Sequence, residues 1–306
     1  MEILHFLEGL RTPVGDFIFS TITHLGEETF FILIGLVFFW CINKKEGYYL
    51  LSIGLIGTTL NQFLKLIFRI PRPWLRDGSL TIVESARAEA TGFSFPSGHT
   101  QSSVGIFGGI ARWNKQKCIQ FFCIAACILV PFSRLYLGVH TPLDVLVSVL
   151  LSLLLIFVLY PLIQKAKNST KNLRLIFLFM TVFSIAFLIF VSAFPFPADI
   201  DIANLEHGAT NAYKMLGCML GLWLSFEIDE RYINFETHAV WWVQIIKLSL
   251  GVIPIILVKS LLKEPLYMII PNENIADAIR YFLLTAVAGC IWPLTFKWFS
   301  KLSKDK

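Results

Sequence analysis

The chain has 306 residues, of which 56% are hydrophobic and only 15% charged, with a net charge of +5 and a mean hydropathy of +0.68. Soluble domains carry about 25% charged residues, so a water-soluble globular protein is excluded: there are too few polar side chains to cover its surface. The Lys/Arg excess falls between apolar runs, which fits orientation on an anionic leaflet and gives no footing to a nucleic-acid partner.

Residues 1–26 open with Ile3, Leu4, Phe6, Leu7 and Leu10 among Glu2, Glu8 and Arg11, the pattern of a short amphipathic helix lying at the membrane interface, as an anchor or as one wall of a substrate entrance. Glu2 stands where a signal peptide needs a basic start, and Arg11 breaks the apolar run, so the first span is expected to be retained. Nine runs then approach the roughly 20 residues needed to cross a ~30 Å hydrocarbon layer: 27–42, 48–68, 98–112, 118–134, 142–163, 175–193, 209–227, 241–262 and 277–297. The expected fold is all-α, a polytopic transmembrane helical bundle with a six-helix core over 27–193 and a three-span extension over 194–306.

Lys44 and Lys45, then Arg112, Lys115 and Lys117, then Lys165, Lys167, Lys171 and Arg174, then Lys297, Lys301, Lys304 and Lys306 fall on one side if nine spans alternate. Cytoplasmic loops are enriched in such residues, so the N-terminus and the 69–97 loop are expected outside and the C-terminus inside. The 228–240 connection dissents, with Arg231 against Glu227, Asp229, Glu230 and Glu236, but acidic residues count little in this rule. Asn168 opens a glycosylation acceptor, yet in a loop expected to be cytoplasmic. Cys41, Cys118, Cys123, Cys127, Cys218 and Cys290 lie in or beside apolar runs without metal-type spacing and read as packing residues. Lys214 and Arg280, near span ends, are expected to snorkel.

Ionisable groups near a membrane face are costly unless paired, hydrated or used, and three clusters of them share the expected outer side. Lys65 and Arg72, with Arg69 and Arg76 nearby, close the second span; seven residues apart on a continuous helix they would share a face, with Pro71 and Pro73 ending it. Pro96-Ser97-Gly98-His99 opens the third, where Ser97 caps, Gly98 permits close backbone approach and the first-turn N–H groups suit a phosphate. Ser133-Arg134, His140 and Asp144 flank the fifth, with Thr141 as cap and Pro142 as first helical residue. Asp144 is placed to hold one ring nitrogen of His140, leaving the other as nucleophile or base, and Arg134 offers a fork for phosphate oxygens. His24, Glu27 and Glu28, at the mouth of the first span, border this region or are hydrated interfacial groups.

In order and spacing, Lys65 to Arg72-Pro73, Pro96 to His99, and Ser133-Arg134 to His140 to Asp144 resemble the three signature motifs of the type 2 phosphatidic acid phosphatase superfamily. The resemblance implies a membrane phosphatase acting on a lipid phosphate or diphosphate of the undecaprenyl diphosphate, phosphatidic acid or phosphatidylglycerol phosphate class. It implies His140 as nucleophile, Asp144 as its orienting carboxylate and His99 as general acid and base. Lys65, Arg72, Ser97, Gly98 and Arg134 would hold the phosphate oxygens, with no metal and no cofactor. The partners it implies are the lipid phosphate and membrane lipids; no oligomeric state follows. A compact chain of this kind suggests a bacterial inner membrane with the site facing outward. A lipid-linked phosphotransferase with the same phosphohistidine, or a lipid-phosphate binder or transporter, are the competing expectations. No motif covers the last third of the chain.

Overall fold

A computed structural model of the chain describes residues 1–165 and 169–302, and the described residues form helices and no strand. Lys167, Asn168, Lys304 and Lys306 lie outside the described residues, as does the side chain of Lys301.

Six helices are long and apolar enough to cross a membrane: Lys44–Arg76, Lys117–Tyr136, Pro142–Ile163, Ser169–Ala193, Trp241–Ile269 and Glu273–Ser300. The pair Pro13–Gly26 and Glu28–Ile42, bent by 52°, makes a seventh if taken as one span. All nine expected spans thus fall on helices, six or seven of them long and apolar enough to cross a membrane by themselves. The expected 27–42 span is only the second half of the bent pair. Gly98–Trp113 has 16 residues, fewer than the roughly 20 of a full span. Ile202–Ile228 has 27, but Asn204, Glu206, His207, Asn211 and Lys214 make its first half polar.

The chain divides into two compact units, one of residues 1–34, 49–161 and 196–208, the other of 35–48, 162–195 and 209–306. In the first, Gly98–Trp113 and Lys117–Tyr136 are joined by a three-residue turn, fastened where Gln120 Nε2 donates to the Asn114 carbonyl at 2.9 Å. A side chain at Gly109 would stand 2.7 Å from Cδ2 of Leu50. Glycine there is what lets Gly98–Trp113 lie against Lys44–Phe68, the small-residue packing expected where lipid removes the hydrophobic drive between helices. Far from Lys65 on the same helix, Tyr49 donates to the Ile156 carbonyl at 3.0 Å, and its ring packs with Trp113 and Tyr160. This closes one end of the unit and leaves the other end to the polar residues.

The N-terminal stretch forms two helices, Glu2–Gly9 and Pro13–Thr23, the second capped by Thr12, whose Oγ1 accepts from Gly15 N. It is pinned to the 77–83 loop. His5 Nε2 lies 2.9 Å from Asp77 Oδ2, Glu8 accepts from Thr81 N at 2.9 Å, and Arg11 donates to the Tyr136 and Thr81 carbonyls, each at 2.9 Å. The segment is therefore a wall of the first unit as well as a surface helix.

In the second unit, Trp40 Nε1 donates to the Ala288 carbonyl at 2.8 Å, and the Tyr48 ring packs against Phe177 and Phe226. Asp229, fully buried, pairs with Lys44 at 2.6 Å and accepts from Phe235 N at 3.1 Å. Asp277 lies 2.5 Å from Arg280 and 3.5 Å from Lys214, and Arg280 also donates to the Lys259 carbonyl at 3.1 Å. The expectation that Lys214 and Arg280 snorkel is thus corrected. With a carboxylate in reach, the cations pair inside the protein instead of stretching to the interface.

Candidate active site

All eight residues singled out from the sequence lie in the first unit, and each is positioned by an element terminus. Lys65 is in the last turn of Lys44–Phe68. The helix ends at Phe68, so Lys65 and Arg72 are not on one continuous helical face; Arg72 is instead the N-cap of the short Pro73–Arg76 turn. The two cations still approach, because the chain folds back after Phe68, where Ser94 N donates to the Ile70 carbonyl at 2.8 Å.

Ser97 caps Gly98–Trp113 as expected, its Oγ accepting from Thr100 N at 3.4 Å, so the hydroxyl proton stays uncommitted. The N–H groups of Gly98 and His99, ahead of the first intrahelical bond, point out of the helix end. Asn61 Nδ2 donates to the Pro96 carbonyl at 3.4 Å and Ser97 N to the Asp144 carbonyl at 3.2 Å, tying this helix start to its two neighbours.

Arg134 is in the last turn of Lys117–Tyr136. Gly138 follows at φ +78°, a left-handed conformation that glycine adopts freely, and turns the chain so that His140 faces back toward Arg134. The turn is backed by Ala86, Tyr136, Leu137 and Val139, a small apolar cluster that holds its backbone. Thr141 caps Pro142–Ile163, Asp144 N donating to its Oγ1 at 3.3 Å, so Asp144 stands in the first turn as expected.

His140 and Asp144 are each 1% exposed. The ring Nδ1 lies 3.5 Å from Asp144 Oδ2, long for an N–H···O bond, and Nε2 lies 3.0 Å from Arg72 Nη1. Asp144 Oδ2 also accepts from Ser94 Oγ at 2.6 Å and Thr141 N at 2.8 Å. Burial and the neighbouring Arg72 charge push the His140 imidazole well below the ordinary histidine range, against the opposing pull of Asp144. That direction favours the neutral ring.

Three cations converge on this carboxylate and histidine. Lys65 and Arg72 are nearly buried and Arg134 is fully so. Arg72 donates to the carbonyls of Gly92, Val139 and Thr91, besides His140. Arg134 donates from Nη1 to Thr23 Oγ1 at 2.6 Å, but its Nε and Nη2, the two donors on one edge of the guanidinium, have no partner among the described residues. Lys65 makes no hydrogen bond among the described residues. Leaving buried donors unmet is costly, and such an arrangement is suited to an anion with several oxygens, since a guanidinium edge matches a phosphate in two parallel bonds.

His99, about one-sixth exposed at the side chain, lies 3.2 Å through Nε2 from Glu89 Oε2 and feels the charges of Arg134 and Lys65. His24 and Glu27, expected to border this region, gather with Glu89, their donor atoms within 4.8 Å of one another. Motif spacing does not reveal Ser94, Thr23, Asn61 or Glu89. All four lie outside the motif stretches, in segments whose return to the site only the folded chain displays.

The chain matches the PAP2 superfamily model over residues 45–168 and the model of the PAP2 superfamily phosphatase transmembrane extension over 213–305. It is similar to sphingosine-1-phosphate phosphatase 1 of Mus musculus, 28% identical over 170 residues, 52% of this chain and 37% of that protein. It is also similar to two proteins of Bacillus subtilis (strain 168). Phosphatidylglycerophosphatase B is 30% identical over 176 residues, 53% of this chain and 82% of that protein. Undecaprenyl-diphosphatase BcrC is 30% identical over 118 residues, 39% of this chain and 58% of that protein. The chain spans less than half the length of the sphingosine-1-phosphate phosphatases it first matches. No solved structure matches. The three motifs, their convergence on one buried site, and the likeness to most of the length of one bacterial relative agree: the chain belongs to the PAP2 superfamily.

Proposed function

We propose that the chain is an integral membrane phosphatase that hydrolyses a lipid phosphate or diphosphate through a phosphohistidine on His140. The observation that carries this reading is the Arg134 guanidinium, fully buried beside Lys65 and the two histidines with Nε and Nη2 unpartnered. A buried fork without an anion is hard to account for as packing.

In the first step, Nε2 of His140 attacks phosphorus and the bond to the lipid oxygen breaks, while His99 gives that oxygen a proton. For attack, the Arg72 N–H now on Nε2 moves to a phosphate oxygen. Arg134, Lys65, the Ser97 hydroxyl and the Gly98 N–H take the remaining charge, and Asp144 stabilises the cationic phosphohistidine. In the second step, water gives a proton to His99, its oxygen attacks phosphorus, the P–N bond breaks and phosphate leaves. Phosphoryl transfer rests mainly on positioning and charge stabilisation. Three fixed cations fill that role, which supports a reaction that needs no divalent ion.

The relatives' names span sphingoid, glycerol and isoprenoid phosphates, so the test is a panel. Phosphate release by the purified protein in EDTA is measured on undecaprenyl diphosphate, phosphatidic acid, phosphatidylglycerol phosphate and sphingosine 1-phosphate, with His140→Ala as control. One lipid cleaved far faster, with an inactive control, is the expected result. Release from none of them moves the phosphotransferase to first place. Loss in EDTA that magnesium restores contradicts the metal-free step. The bacterial inner membrane, with the 69–97 loop outside, is part of the proposal, and labelling of single cysteines placed in that loop by an impermeant reagent on intact cells tests it.

A further inference from the structure

Asp144 orients His140, but the motifs provide no matching carboxylate for His99. The structure does. Glu89, from the loop before the Pro96-Ser97-Gly98-His99 stretch, places Oε2 3.2 Å from His99 Nε2, while its Oε1 lies 3.7 Å from His24 Nδ1. His24 in turn bonds Glu27 through Nδ1, so two elements, the 24–27 turn and the 77–97 loop, meet at this carboxylate. The need for an anion is electrostatic. A general acid must hold a proton, and Arg134 and Lys65 both act on the His99 ring with charge of the same sign. Burial and these two cations hold the His99 imidazole down at about 4, and the Glu89 carboxylate is the group that opposes them. Hydrogen bonding to His99, with help from Glu27 and His24, holds the Glu89 carboxyl down at about 2, so it is ionised throughout the working range.

We infer that Glu89 is the positioning residue of the general acid: it fixes the His99 ring through Nε2, with His24 and Glu27 holding Glu89 in place. This rests on the proposed phosphohistidine reaction, with His99 as proton donor to the leaving oxygen. No bond to phosphorus involves Glu89.

General acid catalysis matters in proportion to how poor the leaving group is. An alkoxide needs its proton in the transition state; a nitrophenolate does not. The experiment compares kcat/KM, which reports steps up to leaving-group departure, for an alkyl phosphate and a nitrophenyl phosphate of matched chain length. The full-length purified protein is used, as wild type and as Glu89→Gln, Glu89→Asp, His99→Ala and His140→Ala. Against a total acid–base contribution of roughly 10²–10⁴-fold, Glu89→Gln is expected to lose about 30-fold on the alkyl substrate and less than about twofold on the nitrophenyl one. Glu89→Asp should recover part of the loss. His99→Ala should show the same bias, and adding Glu89→Gln to it should cost nothing further.

Equal losses on both substrates make Glu89 a structural residue and overturn the inference, as does an unchanged Glu89→Gln. So does a divalent-cation requirement that Glu89→Gln abolishes, since the cluster would then serve a cation. If His140→Ala remains active, the phosphohistidine reading itself fails. If it is inactive and Glu89→Gln behaves as wild type, only the role of Glu89 is wrong. Should Glu89→Gln not fold, His24→Gln at the exposed end of the cluster is expected to show the same leaving-group bias at smaller amplitude.

Discussion

Arg72 Nη1 stands 3.0 Å from Nε2 of His140. A guanidinium only donates, so the contact assigns the lone pair to Nε2 and the proton to Nδ1, the nitrogen that faces Asp144. In the proposed reaction this contact also covers the lone pair that attacks phosphorus, so the resting ring is correctly protonated and masked at once, and a phosphate, richer in acceptor oxygens, is expected to draw the guanidinium away as it binds.

Arg72→Lys keeps the charge and loses the fork that spans His140 and the carbonyls of Thr91, Gly92 and Val139. It is expected to lower kcat/KM by about 10²–10³-fold, the range for removing a fixed donor from a transition state. Activity within about threefold of wild type would mean that charge alone suffices and that the tautomer is set elsewhere. Steady-state kinetics on the best lipid substrate decide it.

In the proposed site Arg134 serves function at the expense of stability. Because two of its buried donors meet no partner among the described residues, Arg134→Met is expected to abolish turnover while leaving the melting temperature in detergent at or above wild type. A large fall in melting temperature would show that the Thr23 bond makes Arg134 structural.

Ser94 gives Asp144 its shortest hydrogen bond, 2.6 Å. Bonds to charged groups contribute about 1.5–3 kcal/mol, so Ser94→Ala should cost roughly tenfold in kcat through a less well held carboxylate, with little change in KM. A change confined to KM would place Ser94 on the substrate side instead.

The depressed pKa of His140 has two consequences for pH. In the free enzyme the ring stays neutral below the ordinary histidine value, so loss of kcat/KM on acidification is expected to begin below pH ~6.5, the unperturbed imidazole value. For stability, the unfolded chain takes up a proton at this residue as pH falls through that value while the folded protein does not. Stability contributed by His140 is therefore present above ~6.5 and declines below it. Glu89 adds a second, more acidic window, since its depressed carboxyl stabilises the fold above its unfolded value and loses that effect as pH falls toward about 2. Melting temperature against pH, for wild type and His140→Asn, separates the two: the variant should show a smaller first decline, what remains coming from His99, whose imidazole is held down at about 4.

Composition alone determined that this chain is helical and membrane-spanning, because lipid leaves helices as the one local solution in which every backbone group is satisfied without a closed barrel. Spacing along the chain was enough to single out Lys65, Arg72, Ser97, Gly98, His99, Arg134, His140 and Asp144 as candidate site residues, since phosphoryl transfer needs fixed cations, a helix start and an oriented histidine. The caps at Ser97 and Thr141 were equally legible, being local hydrogen bonds over three residues. Tertiary structure decided the rest. Lys65 and Arg72 converge through a chain reversal after Phe68 and not through helical period. Lys214 and Arg280 pair with Asp277, which no local pattern announces. Ser94 and Glu89, from the 77–97 loop, and Thr23, from the end of the Pro13–Thr23 helix, complete the candidate site. Their roles arise from long-range contacts, and a Ser, Thr or Glu in a polar loop looks the same whether it meets a histidine or water.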